Sequence, residues 1–146
     1  MDITEIEIIQ PDDFHHHLRD GDVLPDVVKF ASKTFSRIIV MPNINPPVKN
    51  VYDALQYKNR IIKFIPKEYN LQLLMTIYLT DQTTEQDIIN AKNSGFIFGA
   101  KFYQLPINYK KIKLIKKSWK VPDSYIFGNS LLYPLKSDEF IKWKQI

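Results

Sequence analysis

Three consecutive histidines, His15, His16 and His17, are the only histidines among the 146 residues of the sequence. They lie in the stretch PDDFHHHLRDG, where two aspartates precede them and Arg19 follows them. Side chains alternate between the two faces of a strand, so His15 and His17 share one face and His16 points the other way. Two imidazoles on one face can reach a single divalent metal ion at about 2.0–2.1 Å. The spacing predicts a two-histidine metal unit, and the alternative is a packed or surface histidine cluster.

A lysine, Lys101, stands inside the apolar stretch FIFGAKFY at residues 96–103. A lysine that points into a protein interior is costly unless it is paired or chemically altered, and burial favours its neutral amine. A neutral amine can take up carbon dioxide and become a carbamate, which can bridge two metal ions. The alternative interpretation is a lysine at the solvent end of the strand.

Arg19 and Asn43 carry groups that suit the recognition of a carboxylate. Arg19 follows the histidines, and Asn43 comes at the end of the apolar stretch RIIVMPN. A guanidinium and an amide near a metal ion can together hold a substrate carboxylate. The alternatives are a surface arginine in a turn and an asparagine that serves turn formation. Their joint position at the ends of predicted strands favours the binding hypothesis.

Strands and helices alternate along the first hundred residues. Hydrophobic periodicity predicts strands at residues 3–10, 37–43, 71–80 and 96–103. A break is predicted near Pro11, before the extended run FHHHL. Helices are predicted at residues 24–35, 51–65 and 83–95. This alternation predicts βαβ units and a parallel sheet in an α/β fold. Functional side chains in such folds gather at the carboxyl ends of the strands. Here those ends carry His15 to His17, Pro42 and Asn43, Leu79 and Thr80, and Lys101.

The alternation stops after Tyr103. The segment 108–120, NYKKIKLIKKSWK, is predicted as a short basic helix, and the rest of the tail as short extended pieces. Four strands and three helices make half of an eight-stranded barrel, which needs about 250 residues. The sequence therefore predicts about half of a barrel followed by a tail.

Composition limits the classes of protein and of partner. The sequence has no cysteine, so a metal site would have to use histidine, carboxylate or lysine-derived oxygen ligands. No apolar run approaches the roughly 20 residues that span a bilayer, and the acidic start MDITEIEIIQ is not a secretory signal. We therefore expect a cytoplasmic protein that has no membrane partner.

Charge is distributed unevenly along the chain. Residues 1–101 carry 11 Lys and Arg against 13 Asp and Glu, whereas residues 102–146 carry 9 Lys against 3 Asp and Glu. A basic tail raises the alternatives of a nucleic-acid surface and of a solvated lysine-rich helix face. No nucleic-acid-binding module is evident, so we expect that the chain does not bind nucleic acid.

Four stretches, PDDFHHHLRDGD, IIVMPNINPPV, LLMTIYLTD and GAKFY, closely resemble the start of the bacterial-type (class II) dihydroorotases. These are metal-dependent enzymes of the amidohydrolase superfamily that act in pyrimidine biosynthesis on a (β/α)8 TIM barrel. The resemblance covers residues 1–103, with the four blocks in the family's order and spacing. It implies a zinc-dependent cyclic amide hydrolase that interconverts N-carbamoyl-L-aspartate and dihydroorotate.

The resemblance also implies roles for individual residues. His15 and His17 correspond to metal ligands, and Lys101 to the carboxylated lysine that bridges two Zn²⁺ ions. Arg19 and Asn43 correspond to the pair that holds the substrate carboxylate. His16 departs from the family pattern, in which an apolar residue is usual; we expect it to face the packing side of the strand.

The tail resembles the C-terminal end of the same family in FYQLPIN and LLYPLKSDEFIKW. Two distant parts of the family sequence thus run together near Phe102 and Tyr103, where the charge balance also changes. We predict an internal deletion that joins residues 1–103, the N-terminal half of a hydrolase barrel, to residues 104–146, a C-terminal tail segment.

The deletion predicts impaired catalysis. The family's further histidine ligands and its general-base aspartate come from the missing strands, and this sequence has no histidine after His17. The alternative function is that of a non-catalytic remnant. Half a barrel leaves open sheet edges and an exposed apolar face, so the chain could form a homodimer, bind full-length subunits or aggregate.

Overall fold

The computed structural model describes residues 3–99 and 108–146. The described strands are β1 Glu5–Ile9, β2 Asp12–His16, β3 Arg37–Val40, β4 Gln72–Met75, β5 Lys111–Lys120, β6 Tyr125–Phe127, β7 Ser130–Leu132 and β8 Phe140–Gln145. The helices are α1 Leu24–Thr34, α2 Val51–Ile62 and α3 Glu85–Asn93, and a 3-10 turn at Gly21–Val23 precedes α1. A mixed α/β fold results, as predicted. No helix in the described ranges combines the length and apolar character that crossing a bilayer requires.

A parallel sheet with the strand order β2-β3-β4 forms the centre of the fold. All four residues of β3 are buried, and β3 pairs with β2 on one edge and with β4 on the other. The register places Asp12 beside Arg37, and these two side chains form an ion pair at the amino-terminal end of the sheet. The predicted parallel arrangement is therefore confirmed for these strands.

Helices α1 and α2 cover one face of this sheet and create the core. The buried cluster consists of Leu18, Leu24, Val28, Ala31, Ile38, Val40, Val48, Ala54, Tyr57, Ile61, Leu71, Leu73 and Met75. Helix α2 begins at Asn50, whose side chain accepts a hydrogen bond of 2.9 Å from the backbone N–H of Asp53 and so caps the helix. Burial of apolar side chains from consecutive βα units is the main stabilising contribution to this part of the fold.

On the second face of the sheet, two apolar residues are also buried. Ile39 and Leu74 alternate with the helix-facing residues of β3 and β4, yet they are only 3% and 0% exposed. The expectation that a half barrel exposes its apolar inner face is wrong at these two positions.

The second predicted strand ends at Val40 rather than at residue 43, and the third is also shorter than expected. The third ends at Met75 rather than at residue 80. The fourth begins beside β4, with a parallel bridge between Met75 and Ile97 and hydrogen bonds that join Met75 to Phe96 and Phe98. Its continuation from residue 100, which includes Lys101 and the predicted junction near Phe102 and Tyr103, lies outside the described residues.

The tail does not form the predicted basic helix. Residues Lys111–Lys120 are the strand β5, which pairs antiparallel with β1 and with β8. The side chains alternate between charged and apolar along KIKL, and pairing with β1 places Lys111 and Lys113 within ion-pair distance of Glu7 and Glu5, at 2.7 and 3.1 Å. Tertiary pairing therefore overrides a local pattern that is compatible with both a helix and a strand.

The predicted break near Pro11 is confirmed, but the strands on its two sides belong to different sheets, whereas both were expected in the parallel sheet. β1 joins the antiparallel sheet of the tail, and β2 joins the parallel sheet. The antiparallel sheet thus combines segments from both sides of the predicted boundary between residues 1–103 and 104–146.

Asn108 attaches the tail to the amino-terminal end of the parallel sheet. Its half-buried side-chain amide donates to the Gln10 carbonyl and, at 3.5 Å, to the Asp12 carboxylate. Its oxygen accepts hydrogen bonds from the Ser36 hydroxyl at 3.1 Å and from the backbone N–H of Lys110 at 2.9 Å. One side chain therefore connects β1, β2 and β3 to the start of β5.

The β6–β7 hairpin makes a second attachment at the start of α1. The backbone N–H of Gly128 donates to Asp26 at 2.9 Å, and the amide of Asn129 donates to Asp22 at 2.8 Å. Gly128 has a φ of 59°, and a Cβ added there would lie 3.0 Å from the backbone of Asp22. Glycine is required here for two reasons: a side chain is unfavourable at this positive φ, and a Cβ would come too close to Asp22.

We predict that Asn108→Ala lowers the free energy of unfolding by about 1–3 kcal/mol, because it removes four hydrogen bonds and leaves half-buried partners unsatisfied. Urea unfolding followed by circular dichroism measures the change. Asn93→Ala is the matched control, since Asn93 is exposed in the last turn of α3 and its substitution should alter stability by less than about 0.5 kcal/mol. Equal stability of the Asn108 variant and the wild type would contradict the attachment.

Candidate metal and substrate site

His15 and His17 lie together at the carboxyl end of β2. Both side chains are exposed, and their ring centroids are 5.0 Å apart with an interplanar angle of 56°. The strand end is held by its neighbour, because the backbone N–H of Met41 donates to the His16 carbonyl at 2.9 Å. The two rings therefore stand side by side beyond the parallel sheet, on the edge where functional residues of α/β folds collect.

The arrangement of these rings fits a shared divalent metal ion. With metal–nitrogen bonds of about 2.0–2.1 Å and roughly tetrahedral angles, two imidazoles on one ion have centroids about 5 Å apart. Within residues 3–99 and 108–146, no group of three or more His, Cys, Asp or Glu side chains could hold a metal ion. The two predicted histidine ligands are thus among the described residues, and the third predicted ligand, Lys101, lies outside them.

His16 points away from its neighbours and is tied to the strand. Its Nδ1 lies 2.7 Å from an Asp13 carboxylate oxygen, and its ring packs edge-on against Phe35 at 5.4 Å. The other Asp13 oxygen accepts a 2.9 Å hydrogen bond from the backbone N–H of His15. Burial acts to raise the pKa of Asp13, but the hydrogen bonds from His16 and His15 outweigh it and hold the pKa below its usual value.

Asp13 therefore clamps the irregular part of β2. The pairing of β2 with β3 shifts register between Asp13 and His16, and the Asp13 carboxylate spans this bulge. Bulges re-aim side chains, and they occur often beside functional sites. The role of Asp13 was not predicted from the sequence, although an acidic residue two positions before His15 and three before His16 was a signal for it.

Arg19 lies just beyond β2 in an unusual backbone conformation. Its φ is 61°, a left-handed value that is uncommon for a residue with a side chain. The side chain is exposed, and its guanidinium makes no hydrogen bond with a residue in the described ranges. The Arg19 carbonyl accepts a hydrogen bond from the hydroxyl of Tyr57, which is fully buried in α2.

Asn43 lies in the loop that follows β3. It is exposed, and no hydrogen bond joins its side chain to another described residue. A hydrogen bond joins the two ends of this loop, because the backbone N–H of buried Val48 donates to the Pro42 carbonyl at 2.9 Å. Arg19 and Asn43 thus follow the neighbouring strands β2 and β3, at the carboxyl end of the sheet that also carries the two histidines.

Thr80 does not lie at a strand end, contrary to the prediction. β4 ends at Met75, and the backbone N–H of Thr80 donates to the Thr83 hydroxyl at 2.9 Å in the turn before α3. The hydroxyl at the strand end is that of Thr76, which is buried and donates to the Val40 carbonyl. The apolar run through residue 79 concealed this boundary, because it continues past the paired residues.

Comparison with known sequences relates the chain to one group of enzymes. No family model matches the sequence. A dihydroorotase of Pseudomonas syringae is 49% identical over 98 residues, which are 67% of this chain and 28% of that protein. Two thirds of the chain is homologous to dihydroorotases. Dihydroorotases of Ralstonia nicotianae and Nitrosococcus oceani are 46% and 43% identical over 101 residues, which are 69% of this chain and 29% of theirs.

Solved dihydroorotase structures agree with this relation. The enzyme from Campylobacter jejuni superposes with a TM-score of 0.59 at 30% identity and covers 67% of this chain. The Saccharomyces cerevisiae enzyme, solved in complex with 5-fluoroorotic acid, superposes with a TM-score of 0.58 at 29% identity. The chain spans 28% and 26% of these two proteins, and thus less than a third of their length.

We predict that Asp13→Ala lowers the free energy of unfolding by about 1–2 kcal/mol, because the hydrogen bonds to His15 and His16 are lost. Hydrogen exchange of the His15 amide should become faster. Asp13→Asn should lose less, since an amide oxygen can still accept from the His15 N–H. Asp81→Ala, at an exposed turn position, is the control and should leave both measurements near the wild-type values. A protected His15 amide in Asp13→Ala would exclude the clamp.

Proposed function

We propose that this chain is a shortened dihydroorotase that retains the first part of a metal and substrate site on about half of a (β/α)8 barrel. The observation that carries the proposal is the pair His15 and His17, which stands at the carboxyl end of the first parallel strand in a chain homologous to dihydroorotases. The relatives carry the name dihydroorotase, and the proposed reaction is the interconversion of dihydroorotate with N-carbamoyl-L-aspartate. The proposed substrates are these two small molecules.

In this proposal His15, His17 and a carboxylated Lys101 hold Zn²⁺. When bound, a divalent metal ion polarises the ring amide carbonyl and activates water for attack on it. The protein's own contribution includes the hydrogen bond from the His15 backbone N–H to Asp13, which holds the strand end that carries both imidazoles. His16 remains outside the metal site because its ring turns toward Asp13 and Phe35.

Arg19 and Asn43 are proposed to hold the substrate carboxylate. Both side chains are exposed at the edge of the sheet that carries the histidines. An arginine presents paired N–H donors that match a carboxylate, and the amide of asparagine adds a further donor. The carboxylate would thus be fixed next to the metal site, with the ring amide toward it.

The proposal includes an internal deletion near Phe102 and Tyr103, after residues 1–103 and before the tail 104–146. The matches of 98 to 101 residues to curated relatives are close to the length of the first segment. This sequence has no histidine after His17 and so cannot supply the family's remaining histidine ligands. We therefore propose that catalysis by this chain alone is impaired.

A second candidate function is that of a non-catalytic remnant that associates with itself or with full-length subunits. The hairpin and the segment after it expose large apolar side chains, and Leu135 is 100% exposed. The neighbouring exposed residues are Ile126, Leu131, Leu132 and Tyr133. An apolar surface of this kind favours association with another protein surface.

Metal binding tests the assigned ligands. We expect the wild-type chain to bind Zn²⁺ in equilibrium dialysis, and His15→Leu and His17→Leu each to weaken binding by about tenfold or more, since each removes a direct ligand. His16→Leu is the matched control, because it makes the same change one residue away on the opposite face. An equal loss of Zn²⁺ in all three variants, or no binding by the wild type, would contradict the ligand assignment.

Enzyme assays test the impairment. We expect no dihydroorotate hydrolysis above background from the chain with added Zn²⁺, because the site lacks ligands and a general base. Analytical ultracentrifugation in the assay buffer should be run on the same sample to identify its assembly state. Turnover at ordinary enzyme rates by a monomer would overturn the deletion argument, and turnover that rises with self-association would favour a site completed by a second chain.

A further inference from the structure

Arg19 is held by the helix α2 rather than by its own strand. It lies between β2 and the 3-10 turn before α1, and its φ is 61°. A left-handed conformation is unfavourable for a residue with a Cβ, so it persists where surrounding contacts impose it. The contacts that surround Arg19 are therefore the cause of its orientation.

Two residues of α2 supply these contacts. Tyr57, which is 0% exposed, donates its hydroxyl hydrogen bond to the Arg19 carbonyl. Arg60 donates to both carboxylate oxygens of the next residue, Asp20, at 3.2 and 2.6 Å. Tyr57 and Arg60 are three positions apart, so they share one face of the helix, and the Arg60 guanidinium lies 5.4 Å from the Tyr57 ring centroid.

The Tyr57 hydroxyl is suited to a permanent donor role. Burial, with the nearby Asp20 carboxylate, raises the pKa of Tyr57 well above its usual value, so the hydroxyl remains protonated. The ring is part of the central core, which fixes the position of the hydroxyl relative to β3 and β4. Rigid support of this kind is what a group that recognises a ligand requires.

We propose that Tyr57 and Arg60 are positioning residues, which hold the backbone of Arg19 and Asp20 so that the Arg19 guanidinium faces a ligand carboxylate. The inference rests on the proposed function, because it assigns to Arg19 the recognition of a carboxylate. It goes further, because it assigns a role in ligand affinity to Tyr57, a buried residue of α2 that touches no ligand. Tyr57 acts on the carboxylate only through Arg19, which follows β2.

The experiment uses 5-fluoroorotate as the probe, added to the Zn²⁺-supplemented full chain and observed by ¹⁹F NMR. We expect Tyr57→Phe to raise the dissociation constant about tenfold, and Arg60→Gln to raise it severalfold, because Arg19 is no longer held in place. The affinity for Zn²⁺ should stay at the wild-type value in both variants. Tyr52→Phe, in the same helix but 69% exposed, is the matched control and should bind the probe as the wild type does.

A second readout does not depend on the probe. In the wild type, Arg19 should show the strong intraresidue HN–Hα NOE typical of a positive φ, and Tyr57→Phe should weaken it. A Tyr57→Phe chain that keeps both this NOE and the affinity for the probe would overturn the inference. If the wild type fails to bind 5-fluoroorotate, the proposed carboxylate recognition fails, and an unchanged NOE in the variant would then separately overturn the positioning role.

Discussion

The pairing of β3 with a parallel strand on each edge is the interaction on which the rest of the described structure depends. All four residues of β3 are buried, Ile38 and Val40 against the helices and Ile39 on the opposite face. A strand that is buried on both faces cannot shift its register without exposing apolar surface. The order β2-β3-β4 is therefore fixed. The position of the carboxyl end of the sheet is fixed with it.

The two ends of this sheet differ in their contacts and exposure. At the amino-terminal end, Asn108 and the Asp12–Arg37 ion pair join strands and tail by hydrogen bonds that contribute to stability. At the carboxyl end, His15 and His17 are exposed and face outward. Such a division between a stabilising and a functional end is general in α/β barrels, and it follows from the parallel direction of the strands. In the proposed function this division is kept in a chain that spans less than a third of the length of its relatives.

The uneven charge along the sequence is partly resolved within the molecule. Lys111 and Lys113 of the basic tail pair with Glu7 and Glu5 of the acidic first strand. These ion pairs are exposed and individually contribute little free energy, but opposite charges on adjacent strands favour this pairing over others. A basic segment that pairs with an acidic strand of the same chain does not require a nucleic-acid partner to explain its composition.

The sequence by itself determined the βα alternation, the parallel sheet and the opposite directions of His16 and its neighbours, because these depend on local periodicity. It did not determine that residues 108–120 form a strand, since KIKLIKK suits a helix or a strand until β1 and β8 provide partners. It also concealed the end of β4 at Met75 and the contact between Tyr57 and Arg19. Only the tertiary structure decided these features, because each depends on a hydrogen-bond partner distant in the chain, and no local pattern specifies which partner that is.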